Sequence, residues 1–106
     1  MDKINQEIKG GFFDYISDIE YEIYSRYNYP ISFDIGHTLS KICDFEDLNI
    51  LDIGGNSGGL ANAILMANPN CEVTVVDKSI PCNIGEEYKE FNDVSSIRFV
   101  KGDFFH

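Results

Sequence analysis

Basic residues are scarce in this chain. Eight Lys and Arg stand against 18 Asp and Glu, a formal charge of −10 over 106 residues. Nucleic-acid recognition depends on Lys and Arg meeting phosphates, so this composition disfavours it. The acidic excess is spread out, ten acids against four bases in residues 1–49 and eight against four in 50–106, and neither an acidic tail nor a basic face stands out. No apolar run approaches the roughly 20 residues that a bilayer requires, and the opening Met1-Asp2-Lys3-Ile4-Asn5 lacks the apolar region of a signal peptide. No membrane partner is expected, and the setting read from these absences is cytoplasmic. Tryptophan is missing, and cysteine is limited to Cys43, Cys71 and Cys82, an odd number with no Cys-x-x-Cys pair. That pattern describes small thiols in a reducing compartment, with no disulfide framework and no metal site. His37 and His106 have no acid–base partner at a recognisable spacing. A chain of this length forms one domain at most, yet it can bury about two thirds of its surface without staples.

Ile4, Ile8, Phe12, Ile16, Ile19, Ile23 and Tyr27 recur at steps of three and four, one face of a helix, with a break or fresh start expected at Gly10-Gly11. Tyr15, Tyr21, Tyr24, Tyr27 and Tyr29 add phenols that can line a substrate pocket or simply pack. Pro30 is expected to close this region. Ser32 would then cap a second helix carrying Ile35, Leu39, Ile42 and Cys43 at i, i+4, i+7 and i+8. Residues 1–47 thus read as an N-terminal helical extension.

From Leu48 the pattern changes. A short apolar run (48–53) leads into Gly54-Gly55-Asn56-Ser57-Gly58-Gly59, then a helical stretch (60–67) halted by Asn68-Pro69-Asn70. A β-branched run (71–77) follows, then a weaker helix with Ile84, Tyr88 and Phe91 on one face, then a third strand over 97–100. Strand and helix alternating at this spacing predict right-handed crossovers and a parallel sheet. The fold class is α/β: a Rossmann-like three-layer sandwich, here truncated to three parallel strands in the order 3-2-1, over residues 48–106.

The turn from Asp52 to Gly58 carries the strongest chemical signal. Its glycines let the backbone approach a ligand, and the helix that follows presents unpaired N–H groups. Asp77 ends the second strand, where a carboxylate can accept from both hydroxyls of a ribose, and Asp103 ends the third. Three acids at the carboxyl edge of a parallel sheet describe a nucleoside site. A dinucleotide fingerprint Gly-x-Gly-x-x-Gly would place a second glycine where Asn56 stands, and Asp52 would repel a pyrophosphate. An acid there suits a cationic ligand, such as the ammonium and sulfonium of S-adenosylmethionine.

The stretch from Leu51 to Leu60 resembles the first motif of class I S-adenosylmethionine-dependent methyltransferases. Its doubled glycine and the later Gly102-Asp103-Phe104-Phe105 are similar to the small-molecule O-methyltransferases of plant and polyketide-tailoring pathways. The resemblance implies that Asp52 and the loop Gly54, Gly55, Asn56, Ser57 and Gly58 hold the amino-acid end of the cofactor, the acid acting partly through ordered water. It implies Asp77 at the ribose, Lys78 near the adenine, and Asp103 with Phe104 recognising and covering that ring. S-adenosylhomocysteine would be the product. Asn56 departs from the family's usual third glycine, although Asn tolerates the left-handed region, and Lys78-Ser79-Ile80-Pro81 follows the family's Leu-Pro pattern only loosely.

The family's sheet has seven strands. Those beyond the third supply the substrate pocket and, in many members, a histidine base, so no residue here is assigned as catalytic. The expected function is methyl transfer to a small-molecule acceptor, on oxygen, with this chain as the cofactor-binding N-terminal part. One alternative is an inactive methyltransferase-like module that self-associates or pairs with another chain through an unpaired strand edge. The other is a fragment of an NAD-binding oxidoreductase. The partners expected are a small acceptor together with a second copy or a missing C-terminal half.

Overall fold

The computed structural model describes residues 16–92 and 96–102. Three strands, β1 (Asn49–Ile53), β2 (Glu72–Asp77) and β3 (Ile97–Lys101), form a parallel sheet in the order β1-β2-β3. Helix α1 (Asp18–Ile42) precedes β1, α2 (Gly59–Ala67) connects β1 to β2, and α3 (Ser79–Phe91) connects β2 to β3. The expected strand–helix–strand topology is therefore present, and the ends of β1, α2, β2 and β3 fall within a residue of the sequence reading. No helix among the described residues is long and apolar enough to cross a membrane.

The register sorts the two faces of the sheet. Ile50 lies beside Val73 and Val73 beside Ile97, while Asp52 lies beside Val75 and Val75 beside Phe99. These residues share one face, because side chains alternate along a strand. That face meets α2: Ala61, Ile64 and Leu65 join Cys71, Val73, Val75 and Ile97 in the buried core, with Ile50, Leu60, Phe45 and Phe99 at its margin. Removing about 25 cal/mol of unfavourable hydration per Å² of apolar surface is the driving term here. The opposite face presents Leu51 and Ile53, each 60% exposed, with Val100. The described residues thus supply the sheet and the helical layer on one side of it.

Helix α1 begins with a capping box. Ser17 Oγ accepts from the Glu20 N–H at 3.2 Å and the Ser17 N–H donates to Glu20 Oε1 at 3.3 Å, so two otherwise orphaned donors are satisfied. Asp18 and Glu20 in its first turn and Lys41 in its last complement the helix dipole.

The expected break at Pro30 is not there: α1 runs through it for 25 residues. An interior proline removes one helical hydrogen bond and crowds the carbonyl four residues back, a penalty of about 3 kcal/mol. Contacts on both sides of Pro30 offset it. Before it, Ser57 Oγ donates to the Ser25 carbonyl at 3.2 Å, Arg26 binds Glu87 at 3.0 Å and Tyr88 at 3.3 Å, and Asn62 Nδ2 donates to Tyr29 Oη. The Tyr29 ring meets the edge of Tyr88 with centroids 4.7 Å apart. Beyond it, Gly36 lies against Leu60 and Ala63 of α2. Ser32 consequently sits mid-helix and caps nothing.

The apolar face expected to be buried is reversed as well. Ile19, Ile23, Ile31, Ile35 and Ile42 are all at least half exposed, whereas Tyr21, Ser25 and Gly36 are buried. Small and polar residues make this contact because the two helices come close. A methyl group on Gly36 would stand 2.5 Å from the Leu60 carbonyl, and one on Gly59 would collide with the Tyr29 carbonyl. Helix α3 is anchored by buried Ile84 and Cys82, and Gly85 gives the Phe99 ring the room it occupies. Pro81 sits in the first turn of α3, where its missing donor is not needed.

Candidate functional site

The site grows out of the way β1 ends. Gly54 takes φ +76° and donates its N–H to the Val76 carbonyl at 2.8 Å, which carries the chain across the top of β2. Asn56 takes φ +56°, within the left-handed region that Asn tolerates better than other non-glycine residues. Its N–H donates to Asp77 Oδ2 at 2.8 Å, and the Lys78 N–H donates to Asp77 Oδ1 at 2.7 Å. Each oxygen of this buried carboxylate therefore accepts one backbone bond and keeps further lone-pair capacity. The loop closes with the Gly58 N–H on the Gly55 carbonyl at 3.1 Å, and Gly58, at φ +86°, opens α2.

Asp52 stands beneath this loop. A methyl group on Gly55 would lie 2.5 Å from Asp52 Oδ2 and 2.9 Å from Val75 Cγ1, so the glycine leaves the space that the acid fills. Asp52 Oδ2 is buried without a hydrogen-bond partner, as is Asn56 Oδ1. Burial, and after it the charge of Asp77, pushes the Asp52 carboxyl above its ordinary range. Two acceptors lacking donors, one of them on a carboxyl group that neighbours the carboxylate of Asp77, form a site that attracts a cationic donor such as an ammonium group.

The structure brings Asp52, Gly54, Gly55, Asn56, Asp77 and Lys78 to one side of a cleft of about 340 Å³. Two other loop residues stand back from it. Ser57, 2% exposed, holds the loop to Ser25 of α1, and Gly58 lies against Phe99. Asp103 and Phe104 lie outside the described residues. The opposite wall, which the reading of the loop did not foresee, is α1: Tyr21, Tyr24, Asn28 and Ser32. The two tyrosines were open to a pocket role, but Asn28 was not singled out and Ser32 was read only as a helix cap. Their spacing of i, i+3, i+7 and i+11 was the available signal, a polar stripe on one helical face.

A family model for the O-methyltransferase domain matches residues 17–106. The chain belongs to the O-methyltransferase domain family. Among relatives, it is 42% identical over 62 residues to the 3-O-methylredipecamine 2-O-methyltransferase of Carapichea ipecacuanha, covering 58% of this chain and 16% of that enzyme. A solved O-methyltransferase from neocarzinostatin biosynthesis, in complex with S-adenosylmethionine and 2-hydroxy-5-methyl naphthoic acid, is 30% identical with a TM-score of 0.60, covering 64% of this chain and 22% of that one. Human N-acetylserotonin methyltransferase, solved with S-adenosylmethionine, shares the fold at 24% identity and a TM-score of 0.69, covering 85% of this chain and 26% of the human one. The chain thus spans about a quarter or less of the length of these relatives.

Proposed function

We propose that this chain provides the S-adenosylmethionine-binding part of an O-methyltransferase acting on a small-molecule acceptor. The observation that carries the proposal is the buried, unpartnered Asp52 oxygen beneath a glycine loop, next to Asp77 at the adjoining strand end. S-adenosylmethionine, when bound, supplies an electrophilic methyl group on a sulfonium that leaves as a neutral thioether. In this reading Asp52 and the loop of Gly54, Gly55 and Asn56 receive the ammonium end, and the spare lone pairs of Asp77 receive the ribose hydroxyls. Lys78 stands toward the adenine, with Asp103 and Phe104 beyond it. Ser57 and Gly58 contribute by fixing the loop on α1 and Phe99.

The chemical contribution of these residues is positioning: they hold a donor against a fixed wall, and no proton transfer is assigned to any of them. The two carboxylates disfavour an anionic pyrophosphate, which separates this reading from the NAD-dependent one. The open sheet face with Leu51, Ile53 and Val100, and the position of β1 as an edge strand, support completion of the site by further chain or by a second copy. The three free thiols fit a cytoplasmic setting. Thermal denaturation with added ligand tests the proposal. S-adenosylhomocysteine at about 100 times its dissociation constant should add about 2.7 kcal/mol of stability. NAD should add none, and an equal or larger shift with NAD would overturn the reading.

A further inference from the structure

We propose that binding of an ammonium-bearing ligand in this cleft is coupled to loss of a proton from Asp52, so that mild acid releases the ligand. This rests on the cofactor reading of the cleft and adds a pH dependence to it. Two strand-end carboxyls, Asp52 on β1 and Asp77 on the adjoining β2, line the same cleft. Neighbouring like charges resist ionising together, and the hydrogen bonding of the pair shows which acid takes a proton. Asp77 Oδ2 accepts from the Asn56 N–H at 2.8 Å and Asp77 Oδ1 from the Lys78 N–H at 2.7 Å. Asp52 Oδ2 is buried and accepts from nothing. A proton on Asp52 therefore displaces no hydrogen bond to that oxygen and removes a charge that lacks solvation. Burial, and after it the charge of Asp77, pushes the Asp52 carboxyl up accordingly.

The groups around the pair leave this role to Asp52. Lys78 follows Asp77 on the cleft wall, and Lys101 lies beside Asp77 in the β2–β3 register. Tyr21 and Tyr24 of α1 line the opposite wall, and Cys82 Sγ of α3 donates to the Asp77 carbonyl at 3.4 Å. Helix α2 carries no titratable side chain. Phenols, thiols and lysine ammonium groups change charge above about pH 8, so among the described residues the carboxyls alone titrate here between about pH 5 and about pH 7.5. The exchange balances. The Asp52 O–H bond breaks, its electron pair stays on the carboxylate, and the proton passes to the buffer. The ligand's ammonium keeps its own protons and donates to the freed carboxylate. Ionised Asp52 meets that ammonium as a charge-assisted pair, whereas protonated Asp52 offers it no charge. A ligand without the amino group gains nothing from the exchange.

Calorimetric titration of the full chain with S-adenosylhomocysteine, and with 5′-methylthioadenosine, which lacks the amino-acid end, tests the coupling. Each titration is run at about pH 5 and about pH 7.5, in two buffers of different ionisation enthalpy. For S-adenosylhomocysteine the proposal expects an affinity at least about threefold weaker at the lower pH, with a buffer-dependent heat there that reports release of up to about one proton per ligand. At the higher pH the buffer dependence should vanish. 5′-Methylthioadenosine should bind within about 1.5-fold at both pH values and release no proton. Asp52→Asn keeps the shape of the side chain and loses the titrating group, so its weakened affinity for S-adenosylhomocysteine should be the same at both pH values. The buffer comparison on the wild type needs no variant, and a poorly folded Asp52→Asn leaves the test intact. An affinity for S-adenosylhomocysteine that does not fall in acid, an equal acid loss for both probes, or undiminished proton release in the variant overturns the coupling while the cofactor reading stands. A wild-type chain that takes neither probe at either pH overturns both.

Discussion

Adding one methyl group at Gly55 separates the stability of the loop from its function. The backbone there does not have the positive φ of Gly54 and Gly58, so alanine can adopt it. The conflict is steric. The new carbon would sit 2.5 Å from Asp52 Oδ2 and 2.9 Å from Val75 Cγ1. Ordinary contacts begin at roughly 3.5 Å, so the carboxylate must swing by about 1 Å. Crowding of this kind costs about 1–3 kcal/mol, and the stiffer unfolded chain returns about 0.4–1 kcal/mol. The net loss for Gly55→Ala is therefore about 0–2.5 kcal/mol, and the fold should survive. Binding should suffer more than stability, because the displaced group is the one proposed to meet the ammonium. A hydrogen bond to a charged group contributes about 1.5–3 kcal/mol, which corresponds to about a 10- to 150-fold weaker affinity for S-adenosylhomocysteine. Calorimetric titration beside a thermal melt reads both quantities. A folded variant that binds within twofold of wild type would refute the placement of Asp52 at the ligand.

Three other changes probe neighbouring parts of the account. Asp77→Ala leaves the N–H groups of Asn56 and Lys78 without their acceptor, at about 1–3 kcal/mol for each donor left buried, so both melting temperature and ligand affinity should fall. Asp52→Asn removes a carboxyl whose pKa the fold raises above its ordinary 3.8. The native state then holds the proton more tightly than the unfolded chain, and stability declines as pH rises from about 3.8 through the native pKa. The Asn variant should accordingly melt higher than wild type at neutral pH and match it below pH 3.8, as a series of melts against pH would record. Gly36→Ala would gain about 1 kcal/mol in an isolated helix, but here its methyl group meets the Leu60 carbonyl at 2.5 Å. The melting temperature should fall, and a rise would mean that α1 does not cross α2 so closely.

The βαβ half was legible because its signals are local. The run at 71–77 has the β-branched content of a buried strand, which the structure places at 72–77, and the succession of Gly54, Gly55 and Gly58 with Asn56 marked a turn needing positive φ, which the structure places at Gly54, Asn56 and Gly58. Asp52 and Asp77 could be placed beside one cleft for the same reason, since strand ends set their positions. Helix α1 was misread because its outcome is decided by partners far away in sequence. Pro30 and Ser32 carry local signals for an end and a start, and these are overridden by what Tyr29, Ser25, Arg26 and Gly36 touch on α2, α3 and the loop. Hydrophobic periodicity pointed to the wrong face. The isoleucines of α1 stay outside, and the close helix contact is made by glycine and serine, residues that a search for apolar stripes passes over. Asn28 and Ser32 were hidden by the same error, because a helix expected to end at Pro30 cannot present residues 21, 24, 28 and 32 on one face.

The central claim is that the adenosyl ligand lies between the β1–α2 loop and α1. Titrating uniformly ¹⁵N-labelled protein with S-adenosylhomocysteine tests it most directly, by recording which amide resonances move. Saturable shifts are predicted at Gly54, Gly55, Asn56 and Lys78 and at Asn28 of α1, which line the same cleft. Absence of shifts at saturating ligand, or shifts confined to the opposite edge of the sheet around Glu72, Ser96 and Arg98, would contradict it.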